Sequence, residues 1–310
     1  MNDTLTDTLT HRLAVANLAA QIGIIVTGGL VRVTGSGLGC SSWPQCEPGS
    51  FTPVFHEASS IHPFIEFGNR TLTGVLVVIA LALLWAVHRR EPVRSRPRVF
   101  RVLAFVVLGL ILAQAVIGGL SVLADLHPAI VGSHMYFSLA LVAVSAYLLA
   151  RLGQPDGAPT APPAPLPALV TALAVVLALL LVAGVVTTGT GPHAGDVEAP
   201  YRFALDPMAV TRVHSVLMWL YLALLALTVV ATRRAGLGWR RWRWVLGITL
   251  AQGLVGYLQY FTGLPELLVV VHMLLSAALV ATLTTAVTGL WPAEPGCYRI
   301  QGLSAGRNPS

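Results

Sequence analysis

Lysine is absent from this chain: all nineteen basic residues are arginine, and charged residues of every kind make up 10% of its 310 positions. Soluble proteins carry roughly 25% charge, so this shortage excludes a chain with an ordinary water-facing surface. Cysteine is scarce too, at three residues, which excludes a disulfide-rich scaffold. Neither CxxC nor CxxCH occurs, which removes short zinc knuckles and covalent haem attachment. The first eleven residues, MNDTLTDTLTH, lack the basic opening and small-residue cleavage site of a secretory signal. The first span is therefore expected to remain in the mature protein.

What the sequence has instead is apolar length, with a mean hydropathy of +0.75. Apolar runs fall at 12–33, 63–87, 99–123, 129–150, 167–188, 209–232, 244–262 and 266–290. Lipid admits only helices or closed barrels, and these runs are too long and too uniform for barrel strands. The expected fold class is an all-α membrane protein with eight transmembrane helices. The net charge of +6 does not indicate nucleic-acid binding, because the arginines are sorted by side. Six lie in HRREPVRSRPRVFR (88–101) and five in RRAGLGWRRWR (233–243); with Arg12, Arg151, Arg299 and Arg307, fifteen share one side. Arg32, Arg70, Arg202 and Arg212 stay near the other. The arginine-rich side is expected to be cytoplasmic, with both termini inside a plasma membrane. The lysine-free, Ala- and Leu-rich composition hints at a GC-rich bacterial source.

The stretch LGQPDGAPTAPPAPL (152–166) reads as a semi-rigid cytoplasmic linker. It divides the chain into halves, 1–151 and 167–310, the second ending in a cytoplasmic tail. LAQAVIGGL (112–120) recurs as LAQGLVGYL (250–258), and HMYFSLALV (134–142) as HMLLSAALV (272–280), both at an offset of 138. VTGSG (33–37) also resembles TTGTG (187–191). A duplicated four-helix unit with an even number of spans re-enters the membrane in one orientation, so the expected architecture is two parallel-repeat four-helix bundles. Equivalent residues then lie at equal depth.

His134, His214 and His272 stand about five or six residues into spans four, six and eight, roughly 8–9 Å below the outer boundary at 1.5 Å per residue. An ionisable group inside a membrane points to function, and imidazole is a common axial ligand of haem iron. His214 and His272 together would hold one haem b. A buried histidine that only donates an interhelical hydrogen bond explains any one of them equally well, and a proton relay is the other reading; three at related positions favour ligation. In the first half, the segment aligned with that around His214 carries Asn69, leaving His134 as the clear ligand candidate. His62, Glu66 and Asn69, spaced i, i+4 and i+7, share a face of span two, expected to point inward. Glu66 is either paired with Arg70 at i+4 or held beside a bound substrate.

The glycine-rich VRVTGSGLGC (31–40) closes span one, where Arg32 either meets a haem propionate or marks a plain helix stop. Cys40 and Cys46 bracket SSWPQ in the first outer loop, in the compartment where disulfides persist; the bridge expected there is a structural staple or a redox pair. Cys297 reads as a free cytoplasmic thiol. His56, Glu57, His193, Asp196, Glu198 and Asp206 read as surface residues of outer loops.

GLVRVTGSGLGC with WPQC, then IEFGNRTLTG, then the repeated LAQ and HM segments, resemble the haem A synthase family across almost the whole chain. The resemblance implies an enzyme that oxidises the C8 methyl of haem O to a formyl group through successive hydroxylations, giving haem A for cytochrome oxidase. It implies haem b on His214 and His272, and haem O in the first half with His134 as a ligand and Asn69, His62 and Arg70 nearby. Glu66 would stabilise positive charge at the oxidised carbon, and Cys40 and Cys46 would serve redox exchange or haem transfer. A haem O synthase would hand over the substrate, and an electron acceptor of unknown identity would complete the reaction. Much of the family has ExxHR where this chain has Glu66 to Arg70 with Asn69, which puts the usual first-half bis-His pair in question; His62 is a substitute ligand one could expect on the same face. Two other classes compete: a diheme b-type carrier of quinol electrons, and a transporter with duplicated halves. A homo-oligomer is compatible with the sequence, which does not set the oligomeric state.

Overall fold

The computed structural model describes residues 5–55 and 60–292. His56, Glu57 and Cys297 lie outside the described residues. Eight α-helices follow one another, α1 (Thr8–Val33), α2 (His62–Arg89), α3 (Val99–Leu123), α4 (Pro128–Leu152), α5 (Leu166–Thr190), α6 (Pro207–Arg234), α7 (Arg240–Phe261) and α8 (Glu266–Thr288), and no strand occurs among the described residues. The helix starts have local causes. Asp7 and Asp206 cap α1 and α6 by accepting backbone N–H groups of the first turn, and proline opens α2, α4, α5 and α6, where its missing N–H is not needed.

Seven of the eight are long and apolar enough to cross a membrane, so the chain is a multi-pass membrane protein. The eighth expected span, α7, is a helix in its expected place but is less apolar than the other seven. At 22 residues it is about 33 Å long, so length is not the shortfall. Arg240, Arg241 and Arg243 occupy its first turn, and Gln252, Tyr257, Gln259 and Tyr260 its second half, which lowers its apolarity. Elsewhere only 22–39% of each apolar window is buried within the protein, leaving Val78, Trp85, Phe105, Leu112 and Val216 exposed to solvate the helices in lipid.

Helices α4 and α8 pack on each other, with α1 against both. Around them α2 packs on α1 and α3, α5 on α4 and α6, and α7 on α6 and α8. The largest cluster of buried side chains joins Leu139, Leu173, Tyr221, Leu225, Trp242 and Ala277. A smaller one joins Leu83, Val87, Phe100, Leu148 and Leu152.

The α3–α4 and α7–α8 turns are built alike. Each places a leucine in the left-handed region, Leu126 at φ 56° and Leu264 at φ 61°, a conformation rare for a bulky residue. Their N–H groups reach back to the Ser121 and Gln259 carbonyls at 2.8 and 2.7 Å, and the two leucines are 138 residues apart.

The linker is pinned rather than free. Arg96, only 6% exposed, donates to both oxygens of Asp156 and to the carbonyls of Leu5, Arg151, Leu152 and Gln154. The Gln154 side chain reaches the Thr288 carbonyl, and the Thr160 N–H the Pro292 carbonyl. Proline composition alone suggested a spacer; the buried guanidinium instead ties the linker to the chain start, the α2–α3 loop and the end of α4.

Candidate functional site

Two groups of polar side chains stand at the end of the molecule that carries the cysteine loop. The first is a pair of imidazoles. His214 on α6 and His272 on α8 have ring centroids 6.4 Å apart, inclined at 60°. Both Nδ1 atoms are buried; that of His272 has no hydrogen-bond partner, and the His214 ring has only the Leu180 backbone within reach. Each ring lies over a glycine of the preceding helix: a Cβ at Gly184 would come within 3.1 Å of His214 Cε1, and one at Gly256 within 3.4 Å of His272 Cε1. The backbone of α5 and of α7 is therefore close against the two rings.

His134 on α4 repeats this local arrangement. Its Nδ1 is buried and unpartnered, and a Cβ at Gly118 would stand 3.3 Å from its Cε1. Beneath it the Gln114 amide donates to Ser138 Oγ and to the His134 carbonyl, and Ser138 Oγ donates to the same carbonyl. In the other hairpin Gln252 donates to Ser276 Oγ at 2.7 Å, and Ser276 Oγ donates to the His272 carbonyl at 2.9 Å. Gln114 and Gln252 both leave Oε1 buried without a partner. The whole set is offset by 138 residues.

The described contacts of His134 do not reach His62, Asn69 or Glu66, which face other groups. Asn69 is hydrogen-bonded to Thr27 of α1 at 2.7 Å, and His62 Nδ1 to Ser36 Oγ at 2.8 Å. Glu66, 5% exposed, is the centre of the second group. Its Oε1 accepts from Arg70 Nη2 and Nε at 2.5 and 3.1 Å, and its Oε2 accepts the Cys40 N–H at 2.7 Å. Arg70 Nη1 also donates to the carbonyls of Ser42 and Gln45, at 3.0 and 3.2 Å. Cys40 and Cys46 are bridged and fully buried. Both readings offered for Glu66 thus begin from one fact, its ion pair with Arg70.

Arg32 spans from the end of α1 to the Thr188 carbonyl of α5 at 3.1 Å, while its Nε is buried without a partner. His193 is held by the Leu264 carbonyl, and Asp196 accepts from the Glu198 N–H; both serve local loop structure. A cavity of about 730 Å³ opens between α4, α5 and α8, lined by Leu139, Ala143, Leu177, Val280 and Trp291, and holds none of the three histidines.

Among the described residues no three His, Cys, Asp or Glu converge to hold a bare metal ion. A pair of neutral imidazoles suits iron whose remaining ligands come from a macrocycle. Two metal–nitrogen bonds of about 2 Å plus about 1.1 Å from each nitrogen to its ring centre give about 6 Å between centroids, close to the separation of His214 and His272. That donor pair, with glycines against both rings, fits a bis-imidazole haem.

Trp43 and the Gln–Ser pairs had no role in the sequence reading. For the pairs a signal was present, since Gln and Ser are among the few polar residues retained in both copies of the LAQ and HM segments. Trp43 had none beyond lying between two cysteines.

A family model described as cytochrome oxidase assembly protein matches residues 11–192. Among curated proteins, a haem A synthase of Geobacillus thermodenitrificans is 34% identical over 127 residues, 41% of this chain and 37% of the relative. One of Geobacillus kaustophilus is 34% identical over 129 residues, with 41% and 37% covered, and one of Bacillus pumilus is 31% identical over 141 residues, with 45% and 43% covered. Each match spans less than half of the relative's length.

Proposed function

Because the chain belongs to the cytochrome oxidase assembly protein family, we propose that it makes haem A by oxidising the C8 methyl group of haem O to a formyl group. The observation that carries this reading is the His214–His272 pair, 6.4 Å between centroids, with both Nδ1 atoms buried. In this reading the chain is two parallel four-helix repeats, 1–151 and 167–310, joined by the linker at 152–166, with the arginine-rich side and both termini in the cytoplasm. Haem b between His214 and His272 supplies one-electron transfer.

The first half receives haem O. His134 offers one imidazole, but the place of the second is held by Asn69, engaged with Thr27. A half with one imidazole suits a macrocycle that must leave again, which favours an enzyme over a carrier with two permanent haems. Arg32 Nε, buried and unpartnered, is a donor free for a propionate. Glu66, held by Arg70 and the Cys40 N–H, keeps a carboxylate close to the substrate to stabilise positive charge on the reacting carbon, its remaining lone pairs open.

The test is to express the chain in cells that supply haem O, purify it in detergent, extract the non-covalent haems and identify them by mass spectrometry. Haem b together with haem O, haem A or a hydroxylated intermediate is expected. Haem b alone would move the assignment to an electron carrier, and no haem at all would favour a transporter.

A further inference from the structure

The loop between Cys40 and Cys46 is fastened to the membrane helices at four points, and two of the fastenings are made by Glu66 or its partner Arg70. From below, the Cys40 N–H donates to Glu66 Oε2. From the side, Arg70 binds Glu66 Oε1 with one edge of its guanidinium and the Ser42 and Gln45 carbonyls with Nη1. These bonds close a ring that runs from Glu66 through the loop to Arg70 and back. At the near end Gly39 lies so close to α2 that a Cβ there would fall 2.5 Å from the His62 carbonyl carbon. At the tip the Trp43 indole rests flat on Gly119 of α3, where a Cβ would fall 2.3 Å from ring atoms. Gly119 follows Gly118, the residue under the His134 ring. The loop thus joins the carboxylate on α2 to the backbone beneath the histidine on α4.

We propose that the Cys40–Cys46 loop, wedged by Trp43, is a positioning device for Glu66, and that its cysteines act through that carboxylate rather than by thiol–disulfide exchange with a thiol reductant. The inference rests on the reading of Glu66 as the group beside haem O. The bridge holds the Cys40 amide at a fixed place on α2, so one carboxylate oxygen always has a backbone donor. Arg70 has both Nη1 donors taken by loop carbonyls, which resists its swinging away and drawing the other oxygen with it. Trp43 has no hydrogen bond to make in this scheme; its bulk on Gly119 keeps the loop down. A carboxylate fixed at both oxygens suffers little reorganisation when charge develops beside it, which is where such groups contribute most.

The experiment has two arms. The first needs no substrate: amide hydrogen exchange of the peptide containing Cys40 in the purified full chain. Wild type is expected to protect the Cys40 amide, while Glu66→Ala, Cys40→Ser/Cys46→Ser and Trp43→Ala each raise its exchange by about 10-fold or more, and Trp43→Phe keeps most of the protection. Protection unchanged in Glu66→Ala or in Trp43→Ala would overturn the proposal. The second arm is a cycle on haem O oxidation. Cys40→Ser/Cys46→Ser is expected to lower kcat about 10-fold with KM within about twofold, and adding it to Glu66→Gln to change nothing further, because groups acting as one unit are non-additive. Independent, multiplying losses would mean that the cysteines have chemistry of their own. If wild type oxidises no haem O, the functional reading fails while the exchange arm still decides whether the loop fixes Glu66. Trp43→Ala keeps the bridge intact, so a folding defect in the serine variant does not remove the test.

Discussion

The α3–α4 and α7–α8 hairpins carry the same construction at a constant offset: a left-handed leucine in the turn, a glycine under a histidine ring, and a glutamine bonded to a serine that bonds the histidine carbonyl. They differ in what faces the histidine. His272 looks across at His214, whereas the segment of α2 nearest in role to His214 carries Asn69, tied to Thr27, and next to it the Glu66–Arg70 clamp. The common part builds a place for an imidazole; the different part decides what that imidazole does. In one copy a second imidazole stands opposite; in the other α2 carries an amide and a carboxylate, and under the proposed function the imidazole would complete iron ligation and the carboxylate would stabilise charge.

The sharpest way to break the comparison is to remove each imidazole in turn. His214→Ala and His272→Ala are each expected to abolish the low-spin haem b absorbance of the purified protein, because one remaining axial imidazole cannot give that spectrum. His134→Ala should leave it in place and reduce only retention of haem O. A His134 variant that also lost the haem b spectrum would show that the halves are not independent sites.

The next largest effect tests what pins the linker to the first four helices. Arg96 and Asp156 are almost fully buried and bidentate, with side chains 5% and 13% exposed. Removing one member of such a pair strands the other, so Arg96→Ala is expected to destabilise the protein by about 3–5 kcal/mol, read from thermal unfolding in detergent. A loss below about 1 kcal/mol would mean that water reaches Asp156 readily and that the linker is not clamped.

Much of this was legible beforehand, and the misses have physical causes. Helix positions followed from apolar runs because lipid leaves the backbone no alternative, and the ends observed at Val99–Leu123 and Pro128–Leu152 lie within two residues of those runs. The α7 segment was read as apolar because its centre is; its arginine-rich start and its Gln and Tyr residues set it apart. The Glu66–Arg70 pair was visible as an i, i+4 spacing. Its third partner, the Cys40 N–H, was not, since a backbone donor leaves no mark in a sequence. The clamp on Asp156 was hidden for a related reason: five of the groups that Arg96 engages there are carbonyls or a carboxylate met only after the chain has folded back.

A smaller effect sharpens the likeness of the hairpins. Gln114→Ala and Gln252→Ala both remove an interhelical donor to a serine, and such bonds in membranes average about 0.6 kcal/mol, rarely above 1.7. Gln114 makes a second bond, to the His134 carbonyl at 2.8 Å, so its loss is expected to be about twice that of Gln252. Equal losses in an unfolding assay would show that the second bond contributes nothing.

An effect confined to a single helical turn separates the first helices of the two halves. α1 begins on Asp7, whose carboxylate accepts from the Leu9 and Thr10 N–H groups, the Thr10 hydroxyl and Arg90; α5 begins on Pro165 with no side-chain cap. Burial pushes the Asp7 carboxyl up, but the Thr10 bonds and Arg90 outweigh it and hold it below its ordinary value. A carboxyl with a depressed folded pKa adds stability above its unfolded pKa, roughly 4, and loses it as pH falls through the lower folded value. The first turn of α1 is therefore expected to fray on acidification below about pH 4, and Asp7→Ala to cost about 1 kcal/mol at neutral pH but almost nothing in acid. Amide exchange at Leu9 and Thr10, corrected for its intrinsic pH dependence, is the measurement, with the first turn of α5 as the internal reference. If both turns responded alike to acid, the Asp7 carboxylate, with its N–H bonds and its Arg90 contact, would not be the cause, and the difference between the two helix starts would have to come from the lipid interface.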